Sequence, residues 1–184
     1  MVPSFHKIKT SEKVAHKIFD VPFKHGFLEN NMLQLEIEGQ KHRLLFKMSE
    51  VQTVICESFL NNTKFLEELK GFDLIIHDSL AFCPATMLGE LLDIPKVEIL
   101  PLPPNAPLFN HMIPMPVSYV PQIVTGFSDK MTFVERVVNL VAYLGGQVFM
   151  YIAYNRPMNA LKVKYNIKPE KSFQKAAGDR KSVV

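Results

Sequence analysis

The stretch Phe72-Asp73-Leu74-Ile75-Ile76-His77-Asp78-Ser79 decides the fold of this chain. Its centre is a run of branched apolar side chains without polar alternation, which is typical of a strand buried on both faces of a sheet. The segment from Pro84 to Leu92 predicts a helix, because apolar residues recur on one face and Pro84 suits the first turn. Pro95 stops that helix, and residues 96–100 predict a second strand.

Two strands joined by a helix form the unit from which parallel sheets are built, with a right-handed crossover. The predicted fold class is therefore α/β. In open parallel sheets, ligands bind beyond the carboxyl ends of the strands. Asp78 occupies such an end, so its carboxylate is either a functional group or a cap for the following helix. The pattern places only two strands, which indicates part of a sheet domain.

The composition favours a globular protein and excludes several classes. The chain has 184 residues, of which 47% are hydrophobic, which is enough for one domain with a sizeable core. The net charge of +3 is too small and too evenly spread to predict nucleic-acid binding. The two cysteines, Cys56 and Cys83, have neither a disulfide-framework nor a metal-site pattern, and we expect two ordinary buried thiols.

The region before the first predicted strand carries weaker signals. Alternation over residues 33–37 predicts a short strand, and Gly39 predicts a turn into a second strand over residues 44–46. A capping-box pattern at residues 49–52 predicts the start of a helix, and the Asn61-Asn62 pair predicts its end.

Two features follow the second parallel strand. Residues 101–121 are rich in proline and in apolar side chains, which predicts an ordered loop over a pocket or a core edge. A capping box at residues 132–135 predicts a long helix that extends to Tyr154. Its apolar part, residues 137–154, is either a buried core helix or a helix in contact with a membrane surface, and we favour the core interpretation.

Four segments now stand in one order: Phe72-Asp73-Leu74-Ile75-Ile76-His77-Asp78, Glu90-Leu91-Leu92-Asp93-Ile94-Pro95, Pro116-Val117-Ser118-Tyr119-Val120-Pro121 and the helix start over residues 127–139. Their order and spacing resemble UDP-glycosyltransferases of the glucuronosyltransferase type. The resemblance covers roughly residues 49–165. Asp78 falls on the second aspartate of the family's F-D-x-x-x-x-D segment.

The resemblance implies a fold and an activity. The fold would be a Rossmann-like parallel sheet with flanking helices, part of the N-terminal half of a GT-B glycosyltransferase. The enzyme would be a hexosyltransferase that moves a glucuronosyl or glucosyl group from a UDP-sugar to a small lipophilic acceptor. The UDP-sugar is a co-substrate, and no cofactor or metal is expected.

The resemblance also assigns roles to residues. A histidine of the family takes the acceptor's proton and an aspartate orients it, chemistry that suits imidazole near neutral pH. Asp78 would be that aspartate, whereas the histidine and its strand are missing from this sequence. His77 should point to the opposite side of the strand. Phe109 and His111 are candidates for acceptor binding, with simple packing as an equal alternative.

The chain would thus be a partial acceptor-binding N-terminal domain spanning residues 1–184. Its core would be residues 49–165, between an irregular part over residues 1–48 and a polar tail over residues 166–184, without a UDP-sugar domain. The parent enzyme would sit on the lumenal side of the endoplasmic reticulum membrane, although this chain shows neither signal peptide nor membrane anchor. Asn61 lies in a glycosylation sequon.

Rival interpretations come from other classes of protein. The fragment alone is expected to be inactive, so it could be a catalytically silent truncated isoform or a partner-binding protein that forms homo- or hetero-oligomers with full-length enzyme. A third alternative is an unrelated α/β protein that binds small ligands.

Overall fold

A computed structural model describes residues 2–4, 15, 17–78, 82–99 and 115–178. The chain divides into two compact units, Met1–Asp73 and Leu74–Val184. In the first unit, β1 (Val2–Pro3) pairs in parallel with β2 (Ile18–Phe19). Three helices follow: α1 (Phe27–Ile37), α2 (Lys41–Asn61) and α3 (Thr63–Glu68).

An aromatic cluster forms the core of the first unit. The rings of Phe19, Phe59 and Phe65 lie with centroids 5.5–5.7 Å apart, and all three side chains are buried. Such ring pairs stabilise a core beyond the area that they bury. Cys56 precedes Phe59 in α2 and is wholly buried. It is disulfide-bonded, so the prediction of a free thiol at this position is wrong.

The predicted hairpin over residues 33–46 is also wrong, because both segments are helical. The two ends of the predicted strand, Leu33 and Ile37, lie one helical turn apart on an exposed part of α1. An alternation over five residues is too short to distinguish the periodicity of a strand from that of a helix. Gly39 does mark a turn, with φ of 69°, but it connects two helices.

The next helix begins earlier than its capping-box pattern predicts. Ser49 is buried inside α2, and its carbonyl accepts a hydrogen bond from the Thr53 hydroxyl. The predicted end at Asn61 is confirmed. Asn62 then caps α3, since its side chain accepts a hydrogen bond from the Phe65 N–H at 3.0 Å.

The second unit contains the predicted strand–helix–strand segment. Strand β3 (Ile75–Asp78), helix α4 (Phe82–Leu92) and strand β4 (Lys96–Ile99) follow one another. The two strands pair in parallel, with Ile75 opposite Lys96 and Asp78 opposite Ile99. This part of the chain is α/β, as predicted.

The expectation that β3 is buried on both faces is wrong. Ile75 is buried, whereas its neighbour Ile76 is 63% exposed, and Val97 and Ile99 on β4 are also exposed. Only one face of the described pair is covered, and α4 contacts β3 on that face. The two strands therefore present one apolar face that the described residues leave open.

Helix α5 (Phe133–Met150) begins at the predicted capping box. The Thr132 hydroxyl accepts from the Glu135 N–H while the Glu135 carboxylate accepts from the Thr132 N–H. A π-helical turn (Tyr151–Asn155) joins α5 to α6 (Arg156–Lys164), which gives one continuous helix of 32 residues. By length and composition alone, this helix could cross a membrane. Our preferred interpretation as a buried core helix is wrong, because most of its apolar side chains are exposed.

The last element is the short helix α7 (Phe173–Gly178), which contacts α4 and α6. Segment 156–176 looks polar in sequence but is held down by a few buried apolar side chains, namely Met158, Leu161, Ile167, Phe173 and Ala176. It therefore forms part of the packing behind the parallel strands.

Candidate functional site

Asp78 is the last residue of β3 and lies opposite Ile99 of β4. Because the strands are parallel, their carboxyl ends meet at one edge, where ligands bind in sheets of this kind. The Asp78 side chain is exposed at this edge. The predicted position at a strand end is confirmed, whereas the catalytic role of Asp78 stays a prediction.

His77 points to the other face of β3, as the alternation of a strand requires. Its Nδ1 lies 3.0 Å from the carbonyl oxygen of Asp78, and its buried Nε2 has no hydrogen-bond partner among the residues that the structure describes. Desolvation is the main cause that lowers the pKa of His77, and the Lys96 charge adds to it. The ring is therefore held neutral near pH 7, on the side of the strand away from the Asp78 carboxylate.

The two candidates for acceptor binding, Phe109 and His111, lie outside the described residues. The chain that follows them is anchored to α5 by Asn139, which is completely buried. The Asn139 Oδ1 accepts from the Gln122 N–H at 2.7 Å, and its Nδ2 donates to the carbonyls of Val117 and Val120 at 2.8 and 2.9 Å. One side chain thus fixes the path of the loop over residues 117–122.

Asn139 interrupts an apolar helix at the end of the segment 127–139, and the sequence pattern assigns it no hydrogen-bonding role. That interruption was the available signal, since a buried polar side chain is normally hydrogen-bonded. A second feature that sequence reasoning missed is a charged cluster between α4 and residues 162–171. Lys162 is buried and forms an ion pair with Glu90, and Lys171 Nζ lies 3.6 Å from the other Glu90 oxygen.

Two cavities formed by described residues lie away from the carboxyl edge of the strands. A groove of about 520 Å³ between α1 and α2 is lined by Arg43, Phe46 and Glu50, among others. A small cavity of about 60 Å³ is lined by Glu90, Lys168 and Lys171, among others. Asp78 lines neither of them. Within residues 17–78, 82–99 and 115–178, no three His, Cys, Asp or Glu side chains are grouped to hold a metal ion.

The candidate glycosylation residue, Asn61, is the last residue of α2 and is exposed. Thr63, which completes the sequon, is exposed at the start of α3. This exposure is compatible with modification, which stays a prediction.

Comparison with known proteins identifies relatives of this chain. A family model described as "UDP-glucoronosyl and UDP-glucosyl transferase" matches residues 5–178. UDP-glucuronosyltransferase 2B1 of Rattus norvegicus is 37% identical over 110 residues, which cover 58% of this chain and 21% of the rat protein. UDP-glucuronosyltransferase 2A2 of Mus musculus is 39% identical over 97 residues, which cover 48% of this chain and 17% of the mouse protein.

The human protein UDP-glucuronosyltransferase 2A2 is 34% identical over 109 residues, which cover 55% of this chain and 19% of the human one. The matched part of this chain thus spans about a fifth of the length of these relatives. No solved structure matches the chain.

Proposed function

Because the chain belongs to the UDP-glucuronosyl and UDP-glucosyl transferase family, we propose that it supplies part of the acceptor-binding half of a UDP-glycosyltransferase. The reaction is transfer of a glucuronosyl or glucosyl group from a UDP-sugar to a small lipophilic acceptor. In this proposal Asp78 orients a histidine base that other polypeptide must contribute. The complete enzyme has the GT-B arrangement, with the UDP-sugar bound by a second domain.

The position of Asp78 is the observation that carries this proposal. It is an exposed carboxylate at the carboxyl end of a parallel strand, on the face opposite to the neutral His77. A carboxylate that binds the far nitrogen of an imidazole fixes its tautomer and stabilises the imidazolium. His77 cannot be that imidazole, because its ring lies on the other face of β3.

A location in the oxidising lumen of the endoplasmic reticulum fits two further observations. Cys56 is disulfide-bonded, and disulfides persist in oxidising compartments. The exposed sequon at Asn61 would be accessible to the glycosylation machinery of the same compartment.

The test is a chimeric enzyme in which residues 49–165 of this chain replace the matching segment of the rat relative. We expect the chimera to glucuronidate 1-naphthol. The Asp78→Asn variant should lose about a hundredfold or more in kcat while the KM for UDP-glucuronic acid changes little, because Asp78 acts on the proton transfer and not on the donor.

Asp73 offers a matched control in the same segment, since it is exposed at the other end of the stretch. An Asp73→Asn chimera should keep its turnover. Equal turnover in the Asp78→Asn and parent chimeras would remove Asp78 from the mechanism. A parent chimera that folds and binds UDP-glucuronic acid but transfers to no phenol or alcohol would contradict the assignment of the acceptor half.

A second function, binding of a protein partner, is favoured by the open apolar face of the parallel pair. Ile76, Val97 and Ile99 are exposed together on neighbouring strands, and exposed apolar patches of this kind mark interaction sites. Light scattering over a concentration series tests it. Self-association that an Ile99→Lys variant abolishes would support partner binding, and a monomer at all concentrations would argue against homo-oligomers.

A further inference from the structure

Helices α1 and α2 enclose a groove of about 520 Å³ in the first unit. The two helices contact each other and are joined by a short turn at residues 38–40, so they run antiparallel. Each helix lines the groove with four residues spaced three or four apart, which places them on one helix face. From α2 these are Arg43, Phe46, Lys47 and Glu50. A groove of this volume is large enough for a small organic molecule.

Arg43 is the charged side chain of the groove whose bonding capacity is least used. Lys47 and Glu50 form an ion pair at 2.9 Å, and both oxygens of the Glu38 carboxylate accept from glutamine amides at 3.0 Å. Arg43 donates from Nη1 to Gln40 Oε1 at 2.7 Å and forms no ion pair with the described residues. A guanidinium in this state binds a carboxylate through two parallel hydrogen bonds.

The start of α2 attracts an anion to the same end of the groove. Gln40, at the N-cap of this 21-residue helix, makes no side-chain cap hydrogen bond, and the first turn contains no acidic residue. The first N–H groups of such a helix and its dipole favour negative charge. The last carbonyls of α1 accept the N–H groups of residues 38–40, so they are already hydrogen-bonded. Arg43 and the helix start therefore form an end of the groove that suits a carboxylate.

Beyond Arg43, the groove offers apolar surface and hydrogen-bond acceptors. Phe46 lies one turn further along the same face of α2 and is 46% exposed, and Leu35 of α1 is half-buried. These two side chains provide surface for an apolar ring. The amides of Asn31 and Gln34 donate through their nitrogens within the described chain, which leaves their oxygens to accept from hydroxyl groups.

A carboxylate, several hydroxyl groups and an apolar ring occur together in one class of molecule, the glucuronide conjugates. We propose that the groove between α1 and α2 binds glucuronides, with the carboxylate on Arg43 and the apolar ring against Phe46. The source of this ligand rests on the proposed function, because glucuronosyl transfer to a lipophilic acceptor releases such a conjugate. The site is additional to the strand edge, since Asp78 belongs to the second unit.

UDP-glucuronic acid contains the same sugar acid, but the groove does not suit it. Its diphosphate would lie beside the apolar surface of Leu35 and Phe46 and between the carboxylates of Glu38 and Glu50. Lys47, the other cation that lines the groove, is already paired with Glu50. Like charges brought together without a counterion weaken binding. The groove thus distinguishes a conjugated product from the sugar donor.

Isothermal titration calorimetry of the full chain with 4-methylumbelliferyl glucuronide tests the proposal. The matched ligand is the corresponding glucoside, in which a hydroxymethyl group replaces the carboxylate. We expect the glucoside to bind about tenfold or more weakly than the glucuronide, because hydrogen bonds to charged groups are the stronger ones. Arg43→Gln should weaken binding of the glucuronide by about tenfold and leave that of the glucoside unchanged. Phe46→Ala should weaken binding of both ligands.

The control variant is Lys64→Gln, which removes an exposed charge from α3 outside the groove and should bind the glucuronide like the parent chain. Arg43 is exposed, so circular dichroism should show that Arg43→Gln keeps the fold. 1-Naphthoate, an aromatic acid without sugar hydroxyls, completes the set of ligands. It should bind more weakly than the glucuronide.

Three results would overturn the proposal. The folded parent chain gives no heat with the glucuronide up to millimolar concentrations, or the glucuronide and the glucoside bind equally. Alternatively, 1-naphthoate binds as tightly as the glucuronide and with the same dependence on Arg43, which would make the groove a site for aromatic acids. Because the readout is binding and not sugar transfer, failure here is distinguishable from failure of the proposed function.

Discussion

At the scale of single residues, adjacent side chains on β3 have opposite environments. Strand alternation sends His77 towards the covered face and Asp78 into solvent. The two therefore differ in chemistry: the ring is desolvated, and the carboxylate stays accessible to other groups. The same alternation explains why the aspartate suits a site at the strand edge whereas the histidine beside it does not.

The buried ring of His77 makes folding stability depend on pH. Because the folded-state pKa of His77 is lowered from an unfolded value of about 6.5, the unfolded chain binds the proton more tightly than the folded chain does. The stability that the neutral His77 ring contributes is fully present above the pKa of the unfolded chain. It is lost as the pH falls from about 6.5 towards the pKa of the folded chain.

We therefore expect the free energy of unfolding, from urea titrations, to decrease between about pH 7 and pH 5 less steeply in His77→Gln than in the parent chain. Lys96 and Asp78 are the charged neighbours that modulate the effect. His25→Gln, at an exposed position, is the control. Parallel pH profiles for His77→Gln and the parent chain would mean that His77 does not titrate on folding.

At the scale of elements, Asn139 joins α5 to the preceding loop. Replacement by the isosteric leucine leaves the Gln122 N–H and two carbonyls without their partner, and buried unpaired groups cost about 1–3 kcal/mol each. We expect Asn139→Leu to lower the free energy of unfolding by about 3 kcal/mol or more. The Gln122 amide should also exchange its hydrogen faster. A Val138→Ala variant, exposed one residue away, should change neither quantity much.

The sequence predicts the elements whose signals are local. The β3–α4–β4 unit could be predicted because Ile75 and Ile76 form a branched run and Pro95 marks a boundary, and α5 because Thr132 and Glu135 form a complete capping box. The prediction of a hairpin was wrong because residues 33–37 fit the periodicity of a helix as well as that of a strand. The exposure of α5 could not be predicted, since a pattern of apolar residues does not say which surroundings cover them.

For the candidate site too, local sequence predicts one part and not the other. The place of Asp78 at a strand end follows from the chain itself, and the role of Asp78 follows only from the resemblance to the family. The pair of Lys162 and Glu90 could not be predicted, because the two residues are far apart in sequence and the segment that contains Glu90 does not indicate its partner. Long-range pairs of this kind depend on the packing of α6 against α4, which local patterns do not report.

At the scale of the whole molecule, the second unit depends on a buried charge pair. Removing one partner of such a pair leaves an uncompensated buried charge, which costs about 3–5 kcal/mol. We expect Lys162→Met to lower the free energy of unfolding by about 3 kcal/mol. The double variant Lys162→Met/Glu90→Leu should recover most of the loss. A single variant as stable as the parent chain would show that Lys171 alone can neutralise Glu90.

The last prediction concerns the binding of the UDP-sugar, which our proposal assigns to a part of the enzyme outside this chain. The matched part of the chain covers about a fifth of its relatives, and the donor belongs, in our proposal, to a domain beyond it. Isothermal titration calorimetry of the folded chain should therefore give no heat with UDP-glucuronic acid or UDP-glucose. The disulfide-bonded chain should be used, with its fold checked by circular dichroism. Micromolar binding of either nucleotide sugar would contradict the assignment, because the donor-binding groups would then have to lie within these 184 residues.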